Sequence, residues 1–352
     1  MRPPRTSFPG AARRGLLGRM TRVLVLGGTS WLGGAVARVA HDAGHEVTCL
    51  ARGASGSVPD GARLLRGDRD DDQVYAAVLP PVEWDLVVDL ARQPVHARGA
   101  VRALGASARR WVFVSSASVY ARHDEPGADE SAATLPAVTG DFAAPEEYGE
   151  GKVACEDAVR SERGDDVLVA RAGLIVGRGD RSDRFGYWPG RFALAGQDGS
   201  PVLAPERRDR PVQWVHVEDL AQWLVAAGLE GVCGVRNAVG PAASLGDVLE
   251  ASGSRAGFTG RTVPASDEVL RSAGVEEFMG PRSLPLWIAD PEWSAFMDRS
   301  GEAAARDGLT HRTLDVVVQD AAAWERQLGL DRPRRGAGLD RRDELALIAR
   351  LP

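Results

Sequence analysis

One lysine and one tyrosine, four residues apart, are the most informative pair in this chain. The 352-residue sequence contains 43 lysines and arginines, and Lys152 is the single lysine among them. Tyr148 precedes it by one helical turn, so the phenol and the ammonium are predicted to lie on one helix face. Exclusive use of arginine elsewhere indicates that position 152 requires a compact point charge. The alternative is a lysine left by chance on a solvated helix.

A phenol beside an ammonium can move a proton at neutral pH. A free tyrosine titrates at about pH 10 and is a poor base, and a neighbouring cation stabilises the phenolate. Upstream, the stretch "FVSSASVY" ends an apolar run in clustered hydroxyl groups, among them Ser116 and Ser118. A serine hydroxyl could hold a substrate oxygen while the tyrosine transfers the proton. This set of residues therefore predicts acid–base chemistry at a carbonyl or alcohol.

A glycine-rich turn supplies a place for a redox cofactor. The stretch "LGGTSWLGG" follows the first apolar run and opens a helical pattern, which suits a pyrophosphate at a helix N-terminus. Gly27 is predicted to make the tight turn and Gly33 to allow close packing of helix on sheet. Ser30 takes the place of the middle glycine, and its hydroxyl could bond a phosphate. A nicotinamide held there could take or give the hydride; an ordinary strand–helix turn is the alternative.

The second apolar run predicts which dinucleotide is preferred. It ends in "CLARG", with Arg52 where a site for NAD usually has an acid that bonds the ribose 2′-hydroxyl. Because arginine suits phosphate, Arg52 predicts NADP, with NAD possible and a simple surface arginine as the alternative. In "RGDRDDD", Asp68 and Arg69 are predicted to lie where an adenine would rest. That acidic run lacks the sixth-position glycine and the distant glutamate of a calcium loop, and no metal site is predicted.

Apolar runs alternate with helical patterns along the first half of the chain. Such alternation predicts an α/β fold, a Rossmann-type doubly wound parallel sheet with a smaller C-terminal substrate lobe. The predicted strands are 22–28, "HEVTCLARG", 84–91, 109–116 and 165–177, the predicted helices include 95–107 and roughly 146–162, and short elements are expected at 211–217 and 232–239. Ligands in such folds bind at the carboxyl edge of the sheet.

The same pattern divides the chain into four segments. Residues 1–20 are rich in Arg and Pro and are predicted to be a disordered extension, with Met20 as an alternative start. Residues 21–178 are predicted to form the dinucleotide-binding domain. Residues 179–330 are predicted to form the substrate-binding lobe, interleaved with the last sheet strands, and 331–352 a C-terminal tail.

Composition narrows the class of protein. Apolar residues make up 44% and charged residues 26% of the chain, as in globular domains, and no run is long enough to span a membrane. The net charge of −6 argues against a nucleic-acid partner. Three cysteines far apart in sequence predict neither a disulfide framework nor a zinc site, and a cytoplasmic location is expected.

Together these motifs resemble the extended short-chain dehydrogenase/reductases of the NAD-dependent epimerase/dehydratase family, over roughly residues 20–330. The "GGTSWLG" turn is similar to that of an atypical, reductase-like branch, and "YGEGK" and "WVHVEDLA" also match. The resemblance implies that Ser116, with Ser118 as the alternative, joins Tyr148 and Lys152 in catalysis. It also implies a homodimer formed through the helix that carries Tyr148. The implied cofactor contacts are Gly27, Thr29, Ser30, Trp31, Leu32, Gly33, Asp68, Leu90 and Ala91.

Two departures from the family pattern concern the substrate. Leu174 stands where members acting on nucleotide sugars have an asparagine, and Val212 stands where they have an arginine. Both missing groups contact a diphosphate in those relatives, so the substrate is predicted not to be a simple nucleotide sugar. The alternative is that nearby arginines bind a phosphate from another direction: Arg178, Arg181, Arg184 and Arg191. Trp188, in "RFGYWPGRF", is predicted to wall the substrate pocket, with packing in the core as the alternative.

The predicted function is NAD(P)-dependent hydride transfer to or from a small-molecule carbonyl or alcohol, in a biosynthetic pathway, with tyrosine as general acid and base. The first alternative is a sugar or sugar-nucleotide epimerase or dehydratase that recycles a tightly held cofactor. The second is a non-catalytic, nucleotide- or RNA-associated relative, against which the intact Ser116, Tyr148 and Lys152 argue.

Overall fold

A seven-stranded parallel sheet forms the centre of the computed structural model, which describes residues 20–71, 73–78 and 82–351. Residues 1–19, and so nearly all of the predicted N-terminal extension, lie outside the described residues. The strands are β1 (Arg22–Leu26), β2 (Glu46–Ala51), β3 (Arg63–Arg66), β4 (Leu86–Asp89), β5 (Trp111–Ser116), β6 (Leu168–Ala172), β7 (Leu174–Val176), β8 (Val202–Pro205), β9 (Pro211–Val212), β10 (Trp214–His216), β11 (Gly234–Ala238), β12 (Ala243–Ser244), β13 (Thr262–Ala265), β14 (Glu276–Glu277) and β15 (Ser283–Leu284).

The helices cover both faces of that sheet and build the second lobe. They are α1 (Trp31–Asp42), α2 (Val74–Val78), α3 (Pro94–Leu104), α4 (Tyr148–Arg163), α5 (Arg184–Asp198), α6 (Val217–Glu230), α7 (Leu245–Ala256), α8 (Asp267–Ser272), α9 (Glu302–Arg306), α10 (Leu314–Leu328) and α11 (Arg341–Ile348). Four short 3₁₀ turns complete the described elements.

The strand order β11-β6-β5-β4-β1-β2-β3 is that of a doubly wound sheet with one added strand. All six pairings in it are parallel. Strand β1, "RVLVL", is apolar at four successive positions because helices cover both of its faces: α1 and α6 pack on one side and α3 and α4 on the other. The predicted Rossmann-type fold is thus confirmed.

A second core lies in the C-terminal lobe, around α5, α7 and α10. Its strands are short and pair over long distances in sequence, β7 with β10 and β8 with β13. Residues 217–238 return to the central sheet, where α6 covers one face and β11 pairs with β6. The lobe is therefore interleaved with the last sheet strand, and the exact domain boundaries stay a prediction.

The segment predicted as a C-terminal tail is folded onto this lobe. Leu347 and Ile348 of α11 lie in the lobe core, and Glu344 is fully buried. The Glu344 carboxylate forms an ion pair with Arg191 of α5 and accepts a hydrogen bond of 2.9 Å from the Leu203 backbone N–H. Residues 341–348 are therefore part of the lobe's packing.

Helix α4 turns its apolar side into its own chain. The apolar residues Val153, Ala154 and Val159 of this helix could face a partner subunit only if they were exposed, and all three are buried within one chain. Exposed positions on this helix include Asp157 and Arg160. A dimer contact through the three apolar residues is therefore ruled out by their packing, and the homodimer itself stays a prediction.

Candidate active site at the carboxyl edge of the sheet

Two adjoining cavities lie where strands β1, β4 and β5 end. The larger is about 1970 Å³ and contains the candidate catalytic residues, and the smaller is about 450 Å³ and extends towards the ends of β2 and β3. Thr29, Ser30, Leu90, Arg92 and Tyr148 line both cavities. This is the edge at which doubly wound folds bind ligands.

The glycine-rich turn fits a cofactor phosphate group. Gly27 has φ +98°, a conformation that glycine adopts without strain. A Cβ on Gly33 would lie 2.2 Å from the Gly27 carbonyl oxygen, so a side chain there would force the turn and α1 apart. Ser30 caps α1: its hydroxyl accepts from the Gly33 N–H at 3.2 Å and donates to the Gly27 oxygen at 2.8 Å. Because its proton is used in the cap, Ser30 would meet a phosphate mainly through the backbone.

Three more residues of this turn reach the larger cavity. Thr29, Trp31 and Leu32 all line the larger cavity. The Trp31 indole N–H donates to the Arg178 carbonyl oxygen at 2.9 Å, which ties the start of α1 to the loop after β7. Trp31 therefore joins the cofactor turn to the segment that leads into α5.

Lys152 is buried at the bottom of the larger cavity. Its side chain is only 3% exposed, and Nζ donates to the carbonyl oxygens of Ala91 at 2.7 Å and Val114 at 2.6 Å. Nζ also lies 4.8 Å from the centroid of the Phe113 ring. Two of its three N–H groups are thus held by the ends of β4 and β5, and one is left for a ligand or for the phenol. The lone lysine is therefore not on a solvated surface.

Tyr148 begins α4 and lies where the two cavities meet. The Arg92 guanidinium carbon lies 5.5 Å from its ring centroid, and Arg92 lines both cavities. Sequence reasoning missed Arg92, although it directly follows Leu90 and Ala91, two predicted cofactor contacts that line the smaller cavity. The position of Arg92 next to these two residues was the sequence signal that could have identified it.

The serine cluster completes the predicted set. Ser116 ends β5 and Ser118 lies in the following 3₁₀ turn, and both line the larger cavity with Tyr148 and Lys152. The Ser116 hydroxyl accepts from the Ser118 N–H at 3.2 Å, and the two hydroxyl oxygens lie 3.1 Å apart. Either hydroxyl is thus placed to meet a substrate oxygen, and the structure leaves both candidates open.

The smaller cavity contains the residues predicted for the adenine and ribose. Arg52 and Asp68 line it and lie within 3.8 Å of each other, with side chains 65% and 49% exposed. Arg66, the last residue of β3, donates to the Arg52 carbonyl oxygen at 3.3 Å but is not among the residues that line the cavity. Arg52 therefore stands directly after β2 in the cavity wall, at the position predicted for a 2′-phosphate.

Arg69 has a different role from the one predicted. It borders the smaller cavity, but its guanidinium forms hydrogen bonds of 2.8 and 3.2 Å with both oxygens of buried Asp89. It also donates to the Tyr75 hydroxyl and the His96 carbonyl oxygen. These partners use its donors to hold β4 and α3, so the side chain is committed to the fold.

Trp188 does not wall the substrate pocket, and that prediction is wrong. It is fully buried in the lobe core, where its indole N–H donates to the Pro285 carbonyl oxygen at 2.8 Å, and it is absent from the residues lining either cavity. The aromatic wall of the larger cavity is formed instead by side chains further along the chain: Phe278, Trp293, Phe296 and Trp324.

Leu174 and Val212, the two departures from the nucleotide-sugar pattern, lie in different surroundings. Leu174 lines the larger cavity, but Val212 is fully buried and pairs with Ala243 of β12. Gln213, the next residue, borders the cavity instead. Only Leu174 therefore bears on how a substrate is recognised.

A known protein family matches the part of the chain that forms the central sheet. The model of the NAD dependent epimerase/dehydratase family matches residues 23–237, more than half of the chain. The chain belongs to this family. The predicted family and the prediction of an enzyme are confirmed, and a nicotinamide dinucleotide is the cofactor that an NAD-dependent family implies.

Individual relatives of the epimerase/dehydratase family are distant. A 2'-dehydrokanamycin reductase of Streptomyces kanamyceticus is 29% identical over 223 residues, which are 60% of this chain and 60% of that protein. The UDP-Glc/GlcNAc 4-epimerase of Campylobacter jejuni has a TM-score of 0.64 at 17% identity, over 87% of this chain and 99% of that one. A UDP-glucuronic acid 4-epimerase of Bacillus cereus, solved with NAD, has a TM-score of 0.61 at 13% identity, over 88% and 99%. At these identities the solved structures establish the fold alone.

Proposed function

We propose that this protein is an NAD(P)-dependent oxidoreductase that moves a hydride to or from a small-molecule carbonyl or alcohol, with Tyr148 as general acid and base. The observation that carries the proposal is that Ser116, Tyr148 and Lys152 line one cavity, which continues to the glycine-rich turn. Bound nicotinamide would supply or accept the hydride. A biosynthetic pathway is the setting we propose for this reaction.

Each side chain has a distinct task in this proposal. A hydroxyl of the Ser116 and Ser118 pair holds the substrate oxygen, and Tyr148 gives or takes its proton. Lys152, fixed by the Ala91 and Val114 carbonyls, presents its remaining N–H and its positive charge. Since that charge is buried beside the Phe113 ring, a larger guanidinium would not fit in its place.

NADP is the preferred dinucleotide in this proposal, with NAD possible. Arg52 follows the end of β2 and lines the smaller cavity, and the residue before it is Ala51 rather than an acid. Arginine binds phosphate through paired hydrogen bonds, so this corner favours a 2′-phosphate over a bare hydroxyl. Asp68, 3.8 Å from Arg52, would exchange this contact for a contact with the adenosine part.

Reduction is our first choice of reaction and epimerisation or dehydration the second. The apolar Leu174 in the cavity wall, together with a relative named as a reductase, favours the first. Arg181 and Arg184 in the same wall, and the likeness to solved sugar-nucleotide epimerases, favour the second. A role with RNA in place of catalysis is disfavoured by the net charge of −6.

The proposal is tested by cofactor binding followed by a carbonyl panel. The full chain should bind NADPH, and a carbonyl substrate should cause stoichiometric loss of its absorbance. Absence of binding to either dinucleotide would contradict the proposal. Protein that purifies with nicotinamide already bound, and converts a sugar without net oxidation of added NADPH, would move epimerisation to first place.

Two wider predictions remain with this proposal. Among the described residues no helix is long and apolar enough to cross a membrane. A cytoplasmic location and a homodimer stay predictions. A dimer surface must use exposed positions, since the apolar side of α4 is covered by its own chain.

A further inference from the structure

The part of the larger cavity formed by the C-terminal lobe combines an aromatic wall with three arginines, Arg181, Arg184 and Arg271. The Phe278 and Phe296 ring centroids are 5.4 Å apart, and Trp293 and Phe296 are also 5.4 Å apart. Trp293 is 43% exposed although it lines the cavity. An accessible aromatic surface inside a cavity suits a ligand that contains a ring.

Phe278 occupies this wall at a conformational cost. Its φ of +64° lies in the left-handed region, which bulky side chains rarely adopt. Its backbone N–H is held by the carbonyl oxygens of Leu284 and Trp287, and its ring lies 5.7 Å from the guanidinium carbon of Arg184. Strained residues of this kind concentrate at ligand sites, where surrounding contacts maintain them.

Arg184, the first residue of α5, is the cation against this wall. It is partly buried and lines the cavity, and its Nε donates to the Ser182 hydroxyl at 3.1 Å. Among the described residues it forms no salt bridge, whereas Arg191, Arg332 and Arg334 in the same lobe all do. Its terminal nitrogens are therefore available to a ligand.

Arg184 and Tyr148 line the same cavity. Burial lowers the pKa of Arg184, and Asp180 and Tyr148 act in the opposite direction. The guanidinium is thus desolvated and within electrostatic reach of the phenol. A cation that is partly taken out of water and forms no salt bridge is stabilised by an anion that arrives with a ligand.

We infer that Arg184 binds a carboxylate group of a ring-bearing substrate whose carbonyl or alcohol lies at Tyr148. This rests on the proposed function and names its substrate class. The planar fork of arginine matches one carboxylate through two hydrogen bonds. Asp180 and Leu174 line the same cavity, so a second negative charge would meet an acid and an apolar side chain. Of the other lobe arginines in this cavity, Arg181 is exposed and Arg271 is paired with Glu277, so a monoanion at Arg184 is favoured over a diphosphate.

The test compares two probes of the same shape and different charge, 4-carboxybenzaldehyde and 4-formylbenzamide, in the full chain saturated with NADP. Affinities are measured by calorimetric titration. The unsubstituted protein should bind the carboxylate about tenfold or more tightly than the amide, the scale of a charge-assisted bond. Arg184→Gln should remove this difference, and Arg184→Lys should keep part of it. Arg178→Gln, an equal charge change at an exposed side chain, should keep all of it.

Three results would overturn the inference: equal affinity for the two probes, no binding of either probe to the unsubstituted protein, or a charge preference that survives Arg184→Gln. If Arg184→Gln does not fold, Arg184→Lys decides the test. A lysine variant with no residual preference for the carboxylate probe would contradict the inference. Titration of NADP into the same proteins separates the two claims. Intact cofactor binding with no charge preference removes this inference alone, whereas a chain that binds no dinucleotide removes the proposed function.

Discussion

At the scale of single residues, the buried site of Lys152 has no room for an arginine side chain. Lys152→Arg should lower turnover by something like 10²- to 10⁴-fold, the range of general acid–base catalysis. The guanidinium cannot fit a site that is 3% exposed and bounded by the Phe113 ring, so a loss of about 1–3 kcal/mol in stability should accompany it.

Turnover and the denaturant midpoint of that variant measure both effects. Arg160→Lys, an exposed change on the same helix, should alter neither. Turnover of the Lys152→Arg protein close to that of the unsubstituted protein would show that the ammonium has no part in catalysis.

Cofactor preference is a second property of single side chains. Arg52→Ala should weaken NADP binding by about 1.5–3 kcal/mol, as expected for lost bonds to a charged group, and should leave NAD binding nearly unchanged. Titration of both dinucleotides into both proteins measures this, with Arg63→Ala as an exposed control on β3 outside the cavities. Equal losses for NADP and NAD would show that Arg52 does not contact the 2′-phosphate.

Local spacing could predict the candidate catalytic residues but not where every predicted site residue lies in the structure. Tyr148 and Lys152 were found because one helical turn separates them. Arg69 was assigned to the adenine because its partner Asp89 is 20 residues away in sequence, and no spacing rule reveals that pair. Trp188 was misplaced because a periodic helix pattern does not tell which face of α5 meets the cavity and which meets the core.

At the scale of elements, α11 is joined to α5 by a buried ion pair. Glu344→Gln would leave Arg191 charged and 3% exposed without its acid, so the free energy of unfolding should fall by about 3 kcal/mol or more. Denaturant unfolding measures the change. Glu302→Gln breaks a pair whose side chains are 70% and 83% exposed and should have little effect. An equally small effect of Glu344→Gln would mean that residues 341–348 do not stabilise the lobe.

The same element shows why the lobe was hard to predict. Strands of the central sheet, such as β1 and β5, are apolar runs that can be recognised in the sequence. Lobe strands such as β7, β9 and β12 have two or three residues, too few for a visible period, and their partners lie far along the chain. Charged stretches such as residues 331–344 look like a solvated tail, because the ion pairs that bury them are long-range.

At the scale of the whole molecule, buried and half-buried histidines contribute to the response to acid. Burial is the largest cause that lowers the pKa of His45, His123, His216 and His311, and for His123, where Arg299 adds to burial, the pKa falls to about 4. Between about pH 6.5 and pH 4 the unfolded chain therefore binds protons that the folded chain does not. The free energy of unfolding should fall as pH decreases through this window.

His123→Phe isolates one contribution to that response. A phenyl ring can keep the stacking on Trp293, whose centroid lies 4.4 Å away, but it cannot titrate. Unfolding at a series of pH values should give a shallower slope between pH 6.5 and 4 for the variant. An unchanged slope would show that His123 is not a source of the acid sensitivity.

The whole account depends on Tyr148 as the proton donor and acceptor, and removal of its hydroxyl tests this most directly. Tyr148→Phe keeps the ring at the junction of the cavities and should leave the dissociation constant of NADPH unchanged. The rate of hydride transfer to the best carbonyl in the panel, measured in a single turnover, should fall by at least about 10²-fold. A Tyr148→Phe protein that binds NADPH and transfers hydride at the rate of the unsubstituted protein would contradict the account.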